Sequence, residues 1–372
     1  MAAHSAMKAE LDGRVSAERR TCDYGLPIAV TMGDACGIGP EIVAKLWRTP
    51  HAQACFVIGD IGVMRRAVAL TGGGLAVASI TSAGDALATP PACVPVMQVG
   101  TIAPDLIDAP IGQVDARAGK AAAVCIERAV RLALRGDIAA MVTAPIQKEA
   151  LAAAGVAYPG HTEMLQALAC PVGVAPPVRM MLANAQLRTV LVTVHLSLRQ
   201  AIDAVTFDAV LETIRIAHRS APRWGQPAPR IAVAGLNPHA GEGGLFGDEE
   251  VRIIAPAVAA ARHEGIDATG PFPPDTVFMR ARHDPAPGRA IPGVTTRVGE
   301  FDVVVAMTHD HGLIPVKYLG FEDGVNATLG LPFVRMSPDH GTAFDIAGTG
   351  SASPASLLAA LNMARQWLAA SA

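Results

Sequence analysis

Three histidines, His195, His239 and His309, each follow an apolar run. The runs are Thr189-Val190-Leu191-Val192-Thr193-Val194, Ile231-Ala232-Val233-Ala234-Gly235-Leu236 and Val303-Val304-Val305-Ala306-Met307. Short β-branched runs of this kind read as buried strands of a parallel sheet. In open α/β sheets, ligands bind past the carboxyl ends of the strands. Neutral imidazoles are the usual ligands of Zn²⁺ and similar ions. Three at equivalent strand ends point to one shared cation with a position left open for substrate. The other reading of any one of them is a hydrogen-bonded histidine at a strand end. Asp310 follows His309 and is placed to orient it. His311 is read as pointing away from its neighbour on the strand.

Lys317, Asn326, Arg335, Asp339 and His340 follow closely. A cation, an amide and a guanidinium together suit an anionic small molecule. Arg335 comes after Leu331-Pro332-Phe333-Val334, so a bound anion or a buried ion pair is expected there. Lys317 reads either as an anion contact or as a snorkelling surface lysine. Gly160-His161-Thr162-Glu163 puts an imidazole and a hydroxyl at a helix start, which suits an anion or an ordinary cap. Gly33-Asp34-Ala35-Cys36-Gly37-Ile38-Gly39 is a turn, and Pro40 opens a helix after it. Its glycine spacing is not the dinucleotide fingerprint. It serves either an anion at a helix start or a plain tight turn.

The elements that must position these groups alternate strand and helix along the chain. Strands are expected at 28–32, 55–60, 138–143, 189–194, 231–236 and 303–307. Helices are expected at 40–47, 119–134, 163–169, 206–219, 248–264 (kinked at Pro256) and from Pro354 to the end. Residues 71–118 carry no assignment. This pattern means an α/β fold with a mostly parallel sheet covered by helices. With 372 residues, 51% of them hydrophobic, the chain can bury a large core and form two lobes. Net charge is −3 without blocks of like charge, and aromatics are 4%, which excludes a nucleic-acid footprint. No apolar run of about 18 residues is present, so no membrane helix is expected. Residues 1–24 lack the apolar core of a secretory signal and read as a disordered extension, with a cytoplasmic location expected. Residues 281–299 read as a surface excursion. The six scattered cysteines form neither a disulfide framework nor a zinc ribbon.

Together these stretches resemble the 4-hydroxythreonine-4-phosphate dehydrogenase (PdxA) family, with its sugar-acid phosphate dehydrogenase relatives. The matching pieces are Gly33-Asp34 with Gly37-Ile38-Gly39-Pro40-Glu41, Gly160 to Glu163, Thr193 to Leu198, Asn237 to Gly247, Gly270-Pro271 with Asp275-Thr276, His309-Asp310, Lys317-Tyr318 and Gly324 to Gly348. They span about residues 28–350. The resemblance implies an isopropylmalate/isocitrate dehydrogenase-like fold with an active-site cleft between two lobes. Residues 25–135 plus 310–372 would form a cofactor-side lobe, and 136–309 a metal and dimerisation lobe. It implies a divalent metal (Zn, Mg, Co or Mn) on His195, His239 and His309, and substrate contacts from His161, Thr162, Lys317, Asn326 and Arg335. NAD or NADP would lie against Gly33, Asp34, Gly37, Gly39, His340, Gly341, Thr342 and Asp345. Asp275, Lys148 and Lys317 would serve catalysis. A homodimer with shared active sites is also implied.

The implied reaction oxidises the secondary alcohol of 4-hydroxythreonine 4-phosphate and then decarboxylates it, in pyridoxal phosphate biosynthesis. The alternatives are threonate or erythronate 4-phosphate, or an aromatic dihydrodiol. Retention of Gly160-His161-Thr162 favours a phosphorylated substrate. Ala35-Cys36, Thr308, His311 and Pro338 depart from the family's usual residues, and the first lobe's turn and the metal's surroundings are where they fall.

Overall fold

The computed structural model describes residues 25–99, 105–158, 160–170, 173, 175–284, 298–320 and 322–371. The expected extension over 1–24 and most of the 281–299 excursion lie outside the described residues. The strands are β1 (Ile28–Thr31), β2 (Cys55–Gly59), β3 (Ala76–Ile80), β4 (Cys93–Gln98), β5 (Ala140–Thr143), β6 (Arg179–Ala183), β7 (Arg188–Leu191), β8 (Ile231–Ala234), β9 (Ala268–Phe272), β10 (Val303–Ala306), β11 (Val325–Leu329) and β12 (Val334–Pro338). They form one sheet in the order β3-β4-β2-β1-β5-β12-β11-β6-β7-β10-β8-β9. Residues 71–118, unassigned from sequence, supply β3 and β4.

The mostly parallel α/β expectation holds. β3, β4, β2, β1, β5 and β12 are mutually parallel, and so are β7, β10, β8 and β9. Strands β1, β5, β8 and β10 are buried along their whole length, as a sheet covered on both faces requires. Three antiparallel pairings, β12 with β11, β11 with β6 and β6 with β7, join the two blocks. The short β6–β7 turn explains one of them. Asn184 accepts the amides of Gln186 and Leu187 at 2.9 Å each, closing a hairpin that a parallel crossover could not use. β5 lies just past the boundary drawn at residue 136, yet it pairs with β1 and β12.

Helix Ala116–Arg135 starts at Asp115, whose side chain accepts the Arg117 amide, and stops at Gly136 in the left-handed region. At Gly119 any Cβ would run into the Ala150 carbonyl, so helix Lys148–Ala153 rests directly on it. The expected helix over 248–264 is in two parts. A wide π turn, Glu250–Ile254, precedes α-helix Ala255–His263 with Pro256 at its start. Proline has no amide to donate backwards, and the backbone widens just before it.

One expectation is corrected. His309, Asp310 and His311 do not extend a strand; they form the first turn of helix His309–Leu319. β10 stops at Ala306, and Thr308 is the extended residue before the helix. Pro315 lies inside that helix, and an interior proline is a sequence sign against one. Among the described residues no helix is long and apolar enough to cross a membrane.

Candidate active site

β7 and β10 are parallel neighbours, and their ladder continues past the strand ends. The Val192 amide donates to the Ala306 carbonyl (2.9 Å), and the Thr193 amide to that of Met307 (3.2 Å). The Thr193 hydroxyl reinforces the second bond at 2.8 Å. This zipper delivers His195 to His309, with ring centroids 5.9 Å apart and planes tilted by 45°. Two imidazoles bonded to one ion at about 2 Å have centroids roughly 5–6 Å apart, so the pair fits a shared cation. His309 Nδ1 lies 2.7 Å from the Asp310 carboxylate. With the proton there, Nε2 keeps its lone pair for a ligand. Burial, then the nearby Lys148 ammonium and His309, hold the His195 pKa below its ordinary value, while Glu163 opposes them.

His239 stands on a loop of its own after β8. His239, Ala240, Gly241, Glu242 and Gly243 all have positive φ, a run of left-handed backbone. Three of them are not glycine, so the loop is strained and needs outside support. Glu250 supplies it. Its carboxylate accepts the Leu236 and Asn237 amides at 2.7 Å each and the Asn237 side chain at 3.0 Å. Burial works against that charge, but these donors outweigh it and keep the carboxyl below its usual range. The His239 ring lies 6.1 Å from that of Phe246. It lines a cavity of about 760 Å³ with Asp275, Asp310, His311 and Tyr318. Among the described residues no three His, Cys, Asp or Glu side chains are arranged to hold a metal ion. The sequence does not single out Glu250, whose burial and amide donors show only in the folded chain.

Arg335 is 3% exposed. Its guanidinium donates to the hydroxyls of Thr328 (3.0 Å) and Thr143 (2.7 Å), and Nε has no partner among the described residues. Burial pulls its pKa down to about 9. His161 lies close enough to feel that charge. Burial first, and Arg335 second, push its pKa well below the ordinary value, and Nε2 lacks a hydrogen-bond partner. Thr328 and Asn326 are two apart on β11 and face the same side of the sheet, so Asn326 shares the face that Arg335 uses. Helix His161–Ala169 has no side-chain cap at Gly160, which leaves its first amides, including that of Thr162, for another acceptor. Lys317 pairs with Asp339 at 2.9 Å.

The two stretches expected to flank a nucleotide touch each other. The Ile38 amide donates to the Thr342 carbonyl at 3.0 Å, and a Cβ at Gly37 would fall 2.8 Å from that of Thr342. Glu41 accepts the amides of Gly348 (2.5 Å) and Gly350 (3.0 Å), and Lys45 donates to the carbonyls of Gly350 and Ala352. The room at Gly33 and Gly39 is taken by the Pro145 and Met32 carbonyls. Asp34 is fully buried, so its side chain shapes the turn from inside. His340 is half-buried, with Nδ1 3.0 Å from the Gly341 carbonyl; Gly341 and Asp345 are exposed.

Comparison with known proteins identifies the family. The family described as "Pyridoxal phosphate biosynthetic protein PdxA" matches residues 51–364. A 4-hydroxythreonine-4-phosphate dehydrogenase of Beijerinckia indica is 54% identical over 340 residues, covering 91% of this chain and 94% of the relative. A D-threonate 4-phosphate dehydrogenase of Salmonella typhimurium is 44% identical, covering 91% of this chain and 98% of its own. The crystal structure of the 4-hydroxythreonine-4-phosphate dehydrogenase of Klebsiella pneumoniae superposes with a TM-score of 0.79 at 45% identity, over 92% of this chain and 99% of the other. The strand-end histidines, the buried guanidinium and the paired glycine turns are thus those of a chain that belongs to the PdxA family.

Proposed function

We propose that the protein is an NAD- or NADP-linked dehydrogenase that oxidises the secondary alcohol of 4-hydroxythreonine 4-phosphate. Loss of CO₂ from the resulting β-keto acid gives 3-amino-2-oxopropyl phosphate. The observation that carries this reading is Arg335, a buried guanidinium whose hydrogen bonds among the described residues go to neutral hydroxyls. Such a charge is costly to bury unless an anion completes it. A phosphate or carboxylate oxygen beside it also gives the orphaned Nε a partner. His161, neutral under that positive field, donates or accepts without repelling the ligand, and the first amides of its helix favour negative charge.

The same reading assigns a divalent ion, Zn, Mg, Co or Mn, to His195, His239 and His309, completed between the subunits of a homodimer. When bound, that ion lowers the pKa of the substrate alcohol and steadies the negative charge that follows. The neutral state of His195 and the Asp310-oriented ring of His309 suit that duty. The Lys148 ammonium, whose charge is felt at His195, is the first candidate to relay the proton of the alcohol, and Asp275, which lines the same cavity as His239, is the second. A nicotinamide nucleotide would supply the hydride acceptor, and the turn at 33–39 with residues 340–345 is the part of the chain that would hold it. Exposed Leu198, Leu245, Met279, Ile314 and Tyr318 lie in the segment that carries the histidines, and apolar surface of that kind supports a second copy there.

A second reading rests on the Salmonella relative's name: D-threonate 4-phosphate would offer the same phosphate and alcohol and yield dihydroxyacetone phosphate. One experiment separates them. The purified protein with NAD or NADP, a divalent metal and each phosphate in turn is followed by absorbance of the reduced nucleotide. Turnover of 4-hydroxythreonine 4-phosphate well above that of the sugar-acid phosphates is expected. The reverse ranking selects the second reading, and no turnover with any of them overturns both.

A further inference from the structure

Helix Ala255–His263 does not follow the glycine-rich loop directly; the wide π turn Glu250–Ile254 comes first. Turns of this kind are frequent at functional sites. Here the turn brings a carboxylate, 2% exposed, against the loop that carries His239. Glu250 Oε1 accepts the amides of Leu236 and Asn237, and Oε2 accepts the Asn237 side chain. The Asn237 side-chain nitrogen also donates to Glu249 at 2.7 Å. Those bonds fix the loop where it leaves β8. Close contact fixes the rest. A Cβ at Gly241 would fall 2.6 Å from Glu250 Oε2, and one at Gly247 would fall 2.4 Å from the Asn237 side-chain nitrogen. A Cβ at Gly235 would fall 3.0 Å from Glu250 Oε1 and 2.9 Å from the Ala240 Cα. The chain before His239 and the chain after it thus rest on one carboxylate. The Ala240 amide closes the span by donating to the Asn237 carbonyl at 3.1 Å. Residues 242–246 are exposed, so the solvent side gives the loop no support.

We propose that Glu250, acting with Asn237, is a positioning residue that sets where His239 stands as a metal ligand and so tunes the affinity of the site for its divalent ion. This rests on the metal assignment given above. A histidine that binds a metal is normally aimed by a hydrogen bond to its other ring nitrogen. His309 has Asp310 for that, whereas among the described residues no hydrogen bond aims the exposed His239 ring. Its backbone must do the aiming, and that backbone is left-handed, a shape a free chain would not keep. A carboxylate can take all three donors at once. An amide in its place has one accepting oxygen, and its NH₂ would face the NH₂ of Asn237.

The test titrates Zn²⁺ alone into the metal-free, full-length protein as wild type, Glu250→Gln, Asn237→Ala, the double variant and His239→Ala. Glu250→Gln is expected to weaken Zn²⁺ binding at least about tenfold, the usual scale for groups that hold a metal ligand in place. Asn237→Ala should weaken it similarly, and the double variant no more than the weaker single one, since the two residues act through one loop. Losses that multiply overturn the proposal. Binding of inorganic phosphate, which does not involve this loop, should stay at the wild-type level and show that the fold is kept. Amide hydrogen exchange at Leu236 and Asn237 in Glu250→Gln should quicken about tenfold without metal present, the effect of weakening one charged hydrogen bond. Unchanged exchange there removes the anchor. Should Glu250→Gln lose phosphate binding as well, Gly241→Ala decides, because it presses on Oε2 and removes no hydrogen bond; wild-type Zn²⁺ affinity in that variant overturns the proposal. The two readings fail separately. Wild-type affinity in Glu250→Gln with weakened binding in His239→Ala sinks the positioning role alone, and wild-type affinity in His239→Ala sinks the metal assignment and the positioning role together.

Discussion

Arg335 carries a positive charge into the sheet with two threonine hydroxyls as its hydrogen-bond partners. An anion that binds there stabilises the folded state by mass action. Inorganic phosphate at a hundred times its Kd should stabilise the wild type by about 2.7 kcal/mol. Arg335→Met should show no such gain, and thermal melts with and without phosphate check it. Equal gains in both would place the anion elsewhere. Arg335 was visible in the sequence because an arginine after a buried run has few other uses. The buried roles of Glu41, noted only as part of a matching stretch, and of Glu250 were not, because what justifies burying them is not written beside them in the sequence. Glu41 answers amides 307 and 309 positions away, and Glu250 answers amides at 236 and 237 across a strained loop. Nothing local to an acid announces such donors.

Helix Lys148–Ala153 is short, and its place is set by contact more than by its own stability. Gly119 is the contact that matters, since the Ala150 backbone occupies the space where a side chain would be. Gly119→Val should destabilise the protein by about 1–3 kcal/mol through overpacking. It should also lower kcat by displacing the lysine that begins the helix. Urea melts and steady-state rates check both, and a variant as stable as wild type would show that the helices can part freely. Elements with strong punctuation were legible: the helix stopped by Gly136, the one capped by Thr206, and the buried run of β10. Helix His309–Leu319 was not, because Pro315 interrupts its pattern and only Met307 and Thr308 separate it from the preceding strand. The antiparallel strands at the centre also escaped notice, since pairing direction depends on neighbours that are far away in the chain.

At the scale of the whole molecule, the histidine-bearing segment leaves large apolar side chains in solvent, with Leu245 at 72% and Tyr318 at 89% exposed. A second copy seated there would cover them and bring more imidazoles to the pair of His195 and His309. Leu245→Asp should shift the protein toward monomer in light-scattering measurements and reduce metal retention together with turnover. A monomeric variant that keeps metal and full activity would show that each chain works alone.

β12 lies in the middle of the sheet, between β5 and β11, yet eleven strands precede it in the chain. During synthesis those two neighbours therefore wait as open edges until residues 334–338 leave the ribosome, and open edges invite wrong partners. Arg335 arrives on that same strand and reaches across to Thr143, made 192 residues earlier. A chain that stops short yields two unjoined half-sheets and leaves Thr143 without its guanidinium, so the pairing of Arg335 with Thr143 also certifies that translation has run past the final strand.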